Sequence, residues 1–386
     1  MRQRPFALIY TLAFWLALAD ALTGYIQSSF LGRYLSLSGI GLLLAVCAAL
    51  SIVSGAVFPK IIKRFSAYQT GLAMALLAAG SSFILATSHS LPAVLTGFVV
   101  RYLTMIFLLI ILDIFLEKIS ADKITGAIRT KYLTVINLAW LVSPFLMSRL
   151  VGQTDYQRVY LLGGLILTGL LLMMAISQRR LGRENHYQVA KLDWLNSLKT
   201  VWANRNLKAV FGAVLALNIF YCLAVLYVPL YLNQTVGLSW QTIGIIFTFM
   251  LLPFVLIQFP AGLLADKRFG EKEMLIAGNV IMAISSLALW LATSRAPEFW
   301  AALLFLSRIG AALAESMQEV YFYKQIDASQ VGLINLFRQT RNVGWLAGAI
   351  LAAATLFFLN IPQLFFIVAV VMLVNIFQLT KIRDTK

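Results

Sequence analysis

Histidine and cysteine are almost missing from this chain: His89, His186, Cys47 and Cys222 are all it has. Neither histidine has a Cys or His neighbour at ligand spacing, so the sequence offers no zinc-type cluster. Both cysteines lie inside apolar runs and read as small core hydrophobes, not as disulfide partners. A Gly-Lys-Ser/Thr phosphate loop is absent, which leaves the chain without its own means of nucleotide hydrolysis. No nucleophile motif stands out either. The sequence points away from an enzyme and needs no cofactor or metal. Charge is also scarce: only 12% of the 386 residues are Asp, Glu, Lys or Arg. Within that small set the acids are the minority, 15 against 31, and the formal net charge is +16.

What fills the chain instead is hydrocarbon. Apolar residues make up 61% of it and the mean hydropathy is +0.85; a soluble domain sits near half apolar. Many windows run ~18 or more residues without a charge, the length that crosses a bilayer as a helix. The predicted spans are 6–30, 39–60, 69–88, 92–116, 130–151 and 158–178, then 209–232, 240–265, 273–293, 299–324, 334–357 and 362–381. Twelve crossings from a cytoplasmic N-terminus, suggested by Arg2 and Arg4, place both termini in the cytoplasm. With that orientation most Lys and Arg fall on cytoplasmic loops and ends. The exceptions are Arg33, Arg149, Arg158 and Arg295 on the outer side and Arg101 and Arg308 inside spans. That asymmetry is the positive-inside rule, and it accounts for the basic balance without nucleic acid; basic runs with interleaved aromatics are absent. The expected location is the plasma membrane. The start, "MRQRPFALIYTLAFWLALADA", has the outline of a cleavable signal peptide, but the internal repeat gives this span a partner in the second half, so it is read as retained.

The repeat divides the chain. "FWLALADALTGYIQSS" (14–29) aligns with "FYCLAVLYVPLYLNQT" (220–235), "KRFSAYQTGLAMALLAAGSS" (63–82) with "KRFGEKEMLIAGNVIMAISS" (267–286), "DIFLEKISADKITG" (113–126) with "EVYFYKQIDASQVG" (319–332), and "NLAW" (137–140) with "NVGW" (342–345). The offsets are nearly constant. Residues 1–178 and 209–386 are therefore two six-helix bundles, and 179–208 is a cytoplasmic linker. Within the linker Leu195, Leu198 and Trp202 share one helical face, the pattern of a helix lying on the membrane surface; a plain solvated helix fits the same residues. Twelve spans in two repeated halves are the layout of a two-lobed transporter with its binding site between the lobes.

One short stretch departs from the apolar background: "GLLADKRFGEK" (262–272), set between two long apolar runs. Together with the twelve spans and the repeat, it resembles the major facilitator superfamily. That family carries Gly-x-x-x-Asp-basic-x-Gly between its second and third helices, often echoed between the eighth and ninth. Gly262, Asp266, Lys267 and Gly270 match the echo with one extra residue before the second glycine. At the first-half position "FPKIIKRFSA" keeps Lys63 and Arg64 but has Phe58 and Ile62 where Gly262 and Asp266 stand. The family's fifth-helix antiporter signature is reduced to Pro144 without its glycines. The resemblance implies an all-α membrane fold of twelve helices in two pseudo-symmetric bundles. Gly262 permits close helix approach, and Asp266 at a membrane edge attracts neighbouring backbone N–H groups and basic side chains. Such a cluster is a candidate latch between two lobe arrangements; a short positive-inside loop that happens to hold an Asp is the plainer reading.

Ionisable residues within the bilayer are costly and mark candidate sites. Asp20 lies ~21 Å from the cytoplasmic end of the first span, and Arg101 ~14 Å from the outer end of the fourth, at ~1.5 Å per residue. In a core of ~30 Å these depths coincide. The resembled fold lines its cavity with the first, fourth, seventh and tenth helices, so Asp20 and Arg101 are expected to pair there, with Asp20 titrating to couple transport to protons. A permanent structural ion pair is the alternative. In the tenth span Arg308, Glu315 and Glu319 fall within ~40° of one another and form one stripe. Arginines beside acids suit an anionic or zwitterionic solute, though the same acids suit a cationic drug. Tyr25, Gln27, Asn218 and Tyr231 are further cavity candidates. Asp113 and Glu117 read as an inner gate or edge cluster, and Asn137 and Asn342 as interhelical hydrogen bonds. The expectation is a monomeric secondary active transporter of a small organic solute, working by alternating access with protons as the coupling ion and lipid around it. Efflux of amphipathic compounds and lipid translocation are the alternatives on the same scaffold.

Overall fold

Backbone amides have no water to bond to in hydrocarbon, so a spanning segment must satisfy them internally. The computed structural model follows that requirement: helices are the only regular structure among the described residues, 4–119, 125–152, 155–181, 194–257, 260–261, 270–326 and 331–383. In chain order they are α1 (Arg4–Gly24), α2 (Gln27–Leu31), α3 (Leu37–Phe65), α4 (Ala67–Thr87), α5 (Leu91–Ile119), α6 (Thr125–Val151), α7 (Tyr156–Ile176), α8 (Gln178–Leu181) and α9 (Trp194–Ala203). The second half gives α10 (Arg205–Tyr231), α11 (Trp240–Leu256), α12 (Gly270–Leu291), α13 (Pro297–Lys324), α14 (Val331–Phe358) and α15 (Ile361–Leu379). A π-helical turn, Leu232–Val236, closes α10, and Gly237 ends it at φ 84, a left-handed backbone that glycine adopts without strain. Eleven of the helices are long and apolar enough to cross a membrane, and α11 is a shorter apolar helix of 17 residues. Large apolar side chains such as Leu42, Leu172, Ile284 and Phe377 stand exposed, as they should where the solvent is lipid.

The helices follow the predicted spans with shifted ends, and one span is broken. The first expected span, 6–30, is interrupted. Ile26 N donates to Thr23 O at 3.2 Å, a tightened three-residue turn, before Phe30 N returns to the regular pattern on Ile26 O. The eighth, expected over 240–265, is a helix over Trp240–Leu256 and again at 260–261, where Ala261 N donates to Ile257 O at 2.9 Å; 262–265 lie outside the described residues.

The described chain forms two compact units. One comprises Met1–Phe30, Val53–Val189 and Ser239–Thr248; the other comprises Leu31–Ile52, Ala190–Leu238 and Phe249–Lys386. In the first, α4 packs on α5 and α7, and α1 packs on α5, α6 and α7. In the second, α12 packs on α13 and α15, and α10 packs on α13, α14 and α15. Each unit thus has the same set of helix partners at repeat-related positions, and the sequence repeat is a repeat of packing.

Small residues allow the close crossings on which this packing depends. Gly278 of α12 and Gly310 of α13 are reciprocal: a Cβ on Gly278 would meet Gly310 O at 2.7 Å, and a Cβ on Gly310 would meet Gly278 O at 2.6 Å. Both obstacles are backbone, so a side chain can be accommodated only by separating the helices. Gly278→Ala and Gly310→Ala are each expected to cost about 1–3 kcal/mol. Their combination should cost less than the sum because both open one crossing. Thermal unfolding of the purified protein in detergent reads both effects.

Candidate functional site

Among the described residues, each unit holds one buried arginine. Arg101 of α5 is 5% exposed and Arg308 of α13 is 2% exposed. A guanidinium inside a membrane bundle needs fixed acceptors and a polarisable surface, and the two residues find them differently.

Arg101 is fastened to α1. Its Nη2 donates to Ala19 O at 2.9 Å and to Thr23 Oγ1 at 2.7 Å. Thr23 is held in turn by its own helix, donating to Ala19 O and Asp20 O. The guanidinium carbon lies 5.9 Å from the centroid of the Tyr160 ring of α7, within cation–π reach. Asp20 is half-buried and is the acid in electrostatic contact with Arg101, beside Tyr160. No direct ion pair joins Asp20 to Arg101 among the described residues. The arginine spends one edge on helix α1's carbonyl and hydroxyl, and it feels the Asp20 charge through space. Its Nη1 and the Tyr160 hydroxyl are buried donors with no acceptor among the described residues.

The tenth-span stripe is present on α13, and the structure extends it. Glu315 accepts from Tyr221 Oη of α10 at 3.3 Å. Glu319 is ion-paired with Arg341 of α14, both partly exposed. Arg341 also feels Glu315, Tyr221 and Tyr323, and Tyr221 feels Arg308. The Arg308 guanidinium lies 5.1 Å from the Phe220 ring. Arg308 also lines a small cavity with Phe220, Ser286 and Ser307 inside the same unit. A network of alternating charge therefore links α10, α13 and α14.

Thr23, Tyr160, Tyr221 and Arg341 were not among the residues singled out from the sequence. Arg341 falls inside the expected span 334–357, and that position is its signal in the sequence. The other three are uncharged, and nothing in their local sequence announces a partner on a distant helix.

The remaining candidates lie as follows. Tyr25 is buried, edge-on to Trp140 at 5.9 Å and against Phe247 at 4.9 Å. Gln27 is half-buried at the start of α2. Tyr231 packs between Trp300 and Phe365. Asn218 is buried and donates to Val214 O of its own helix at 2.8 Å; Asn342 donates to Gln339 Oε1 three residues back at 3.0 Å. Those two amides are satisfied within their own helices. The interhelical amide bond is elsewhere, Asn375 Nδ2 to Asn279 Oδ1 at 2.9 Å. Asp113 is half-buried on α5, and the Glu117 side chain lies outside the described residues. So do Gly262, Asp266 and Lys267 of the charged stretch. Gly270, the last residue of its motif, opens α12 at φ 78, where a Cβ would be strained. Glu271 follows it, 1% exposed and ion-paired with Lys324 at the end of α13.

Thr23 and Arg341 separate buried from half-exposed chemistry. Thr23→Val removes an acceptor from a buried guanidinium and should cost about 1–3 kcal/mol, while Thr23→Ser, which keeps the hydroxyl, costs less than about 1. Arg341→Gln breaks an ion pair that is partly open to solvent and should cost about 1 kcal/mol or less. Denaturant or thermal unfolding in detergent checks the order.

The comparisons with known proteins agree with this architecture. Residues 209–385 match the family model described as the Major Facilitator Superfamily. The chain is similar to the crystal structure of the nucleoside transporter NupG, with a TM-score of 0.76 at 14% identity over 98% of this chain and 100% of that one. It is also similar to a bacterial homologue of the human lysosomal transporter Spinster, solved inward-facing and unoccupied, with a TM-score of 0.72 at 11% identity over 97% of this chain and 98% of that one. At those identities the likeness concerns the fold. No curated protein matches the chain by sequence.

Proposed function

We propose that this chain, whose residues 209–385 match the Major Facilitator Superfamily model and whose fold is similar to that of solved transporters, is itself a transporter that moves a small organic solute by alternating access and draws on protons through Asp20. The observation that carries this reading is Arg101. It is a guanidinium within an apolar span, 5% exposed, with an acid one helix away that acts on it through space. With Asp20 ionised the pair is neutral; with Asp20 protonated the arginine is left with uncompensated charge. A change of that kind gives two states of different electrostatic energy, which is what coupling to a proton requires.

The substrate class follows from the charges. Arg101 and Arg308 suit a carboxylate or phosphate oxygen, and an anionic or zwitterionic metabolite is the first reading. A second has its own observation: Glu315, half-buried and bonded to Tyr221, suits the ammonium of a cationic amphipath, and export of such compounds would use the same scaffold. Nucleosides belong in the test because a transporter of the same fold carries them.

The experiment is solute uptake into proteoliposomes under an imposed pH gradient, with anionic, zwitterionic, nucleoside and cationic amphipathic solutes in parallel. Asp20→Asn should abolish accumulation driven by the gradient while leaving downhill exchange intact. An Asp20→Asn protein whose accumulation still follows the pH gradient would remove Asp20 from the coupling role.

A further inference from the structure

The linker helix α9 presents two different faces. On one, Val201 is 5% exposed and packs within the second unit, where α9 lies against α10 and α14. The approach is close: a Cβ on Gly332, at the start of α14, would meet Ser197 Oγ at 2.6 Å. α9 is thus fixed to the unit and is not a loose tether. On the other face Leu198 and Trp202 are 40% and 66% exposed. They are four residues apart, with Lys199 exposed between them at the three-residue spacing from Trp202, so all three share one patch of helix surface.

The chain leaves α9 at Asn204, whose side chain caps α10 by accepting from Asn206 N at 2.9 Å and Leu207 N at 3.2 Å. The membrane-crossing segment starts at the next residue, Arg205. Lys208, one turn into it, places its ammonium 4.2 Å from the Trp202 ring centroid. Trp202 therefore stands at the level where the span begins, which is where indoles partition in a bilayer. It is flanked by three exposed cations, Lys199, Arg205 and Lys208. An exposed indole and leucine with cations around them, at a membrane boundary, complement one surface: the negatively charged headgroup layer.

We propose that this face of α9, with Lys208 beside it, binds acidic phospholipid headgroups. The phosphodiester meets Lys199 and Lys208, and Leu198 and Trp202 lie in the interfacial layer beneath it. The site is independent of the solute that the transporter carries. Lys199 sits on the linker and Lys208 at the foot of the seventh membrane crossing, so a bound headgroup joins the two.

The test uses the full chain in vesicles of phosphatidylcholine containing a minority of either brominated phosphatidylglycerol or brominated phosphatidylcholine. The fluorescence of Trp202 is taken as wild type minus Trp202→Phe. Quenching by the acidic lipid should exceed quenching by the neutral one about threefold or more at low salt. The preference should vanish in Lys199→Gln/Lys208→Gln and persist in Lys199→Arg/Lys208→Arg. Each lysine lost should weaken lipid binding about fivefold, the equivalent of about 1 kcal/mol per basic residue. Native mass spectrometry of wild type and the Gln double variant gives a second reading without touching Trp202: phosphatidylglycerol retained by the first should be lost from the second. Equal quenching by both lipids would overturn the proposal, leaving an interfacial helix without headgroup preference. So would a Trp202 that neither lipid quenches, as expected of a helix in water or under a protein partner. The readout is proximity to lipid, so its failure leaves the transport reading untouched, and a failed uptake assay leaves this one untouched.

Discussion

A polar group in hydrocarbon must find its partner in the protein, because water is not there to serve as one. That constraint accounts for most of what is seen. It leaves helices as the regular structure, since a helix bonds its own amides. It makes many serine and threonine hydroxyls in the spans turn back on their own helix, as Thr104 does on Val100 O and Ser82 on Ala78 O. It also makes the few charges inside the spans conspicuous, because each has to be carried into a low-dielectric bundle with its acceptors arranged beforehand.

The two buried arginines show two ways of meeting that requirement. Arg101 uses a carbonyl and a hydroxyl of α1 along one edge and an aromatic face along another, and it leaves Asp20 to act at a distance. Such an arrangement does not lock the acid into a salt bridge. Arg308 belongs to a wider set in which Tyr221, Glu315, Glu319 and Arg341 balance one another. Around Arg101 the electrostatic partners among the described residues are Asp20 and Tyr160, whereas the charges around Glu315 and Glu319 come from three helices. The sequence repeat does not extend to Asp20: the position aligned with it is Leu226.

Packing and chemistry also meet at one end of the second unit. Glu271 and Lys324 join the start of α12 to the end of α13. Asn206 Nδ2 donates to Gln325 Oε1 at 3.4 Å, Arg383 N donates to Asn206 Oδ1 at 3.2 Å, and Tyr321 Oη donates to Arg383 O at 2.6 Å. The chain after α15 is therefore tied to the starts and ends of its neighbours. α9 is added to the same region, with Lys199 and Trp202 exposed.

The sequence alone determined the fold class, the approximate place of the spans and the repeat. These depend on apolar length and on the period of the chain, and both are written locally. It also identified Arg101 and the Arg308–Glu315–Glu319 stripe, because a charge within a long apolar run is conspicuous without any knowledge of its neighbours. Only the tertiary structure decided what those charges touch. Thr23 and Tyr160 around Arg101, and Tyr221 and Arg341 around Glu315 and Glu319, come from helices far apart in sequence, and no spacing rule within one helix reveals a partner on another. For the same reason Asn218 and Asn342, which read as cavity or interhelical groups, bond within their own helices, while Asn279 and Asn375 make the bond between helices. A residue's type says what it can bond to; which neighbour comes within 3 Å is settled by how the helices pack.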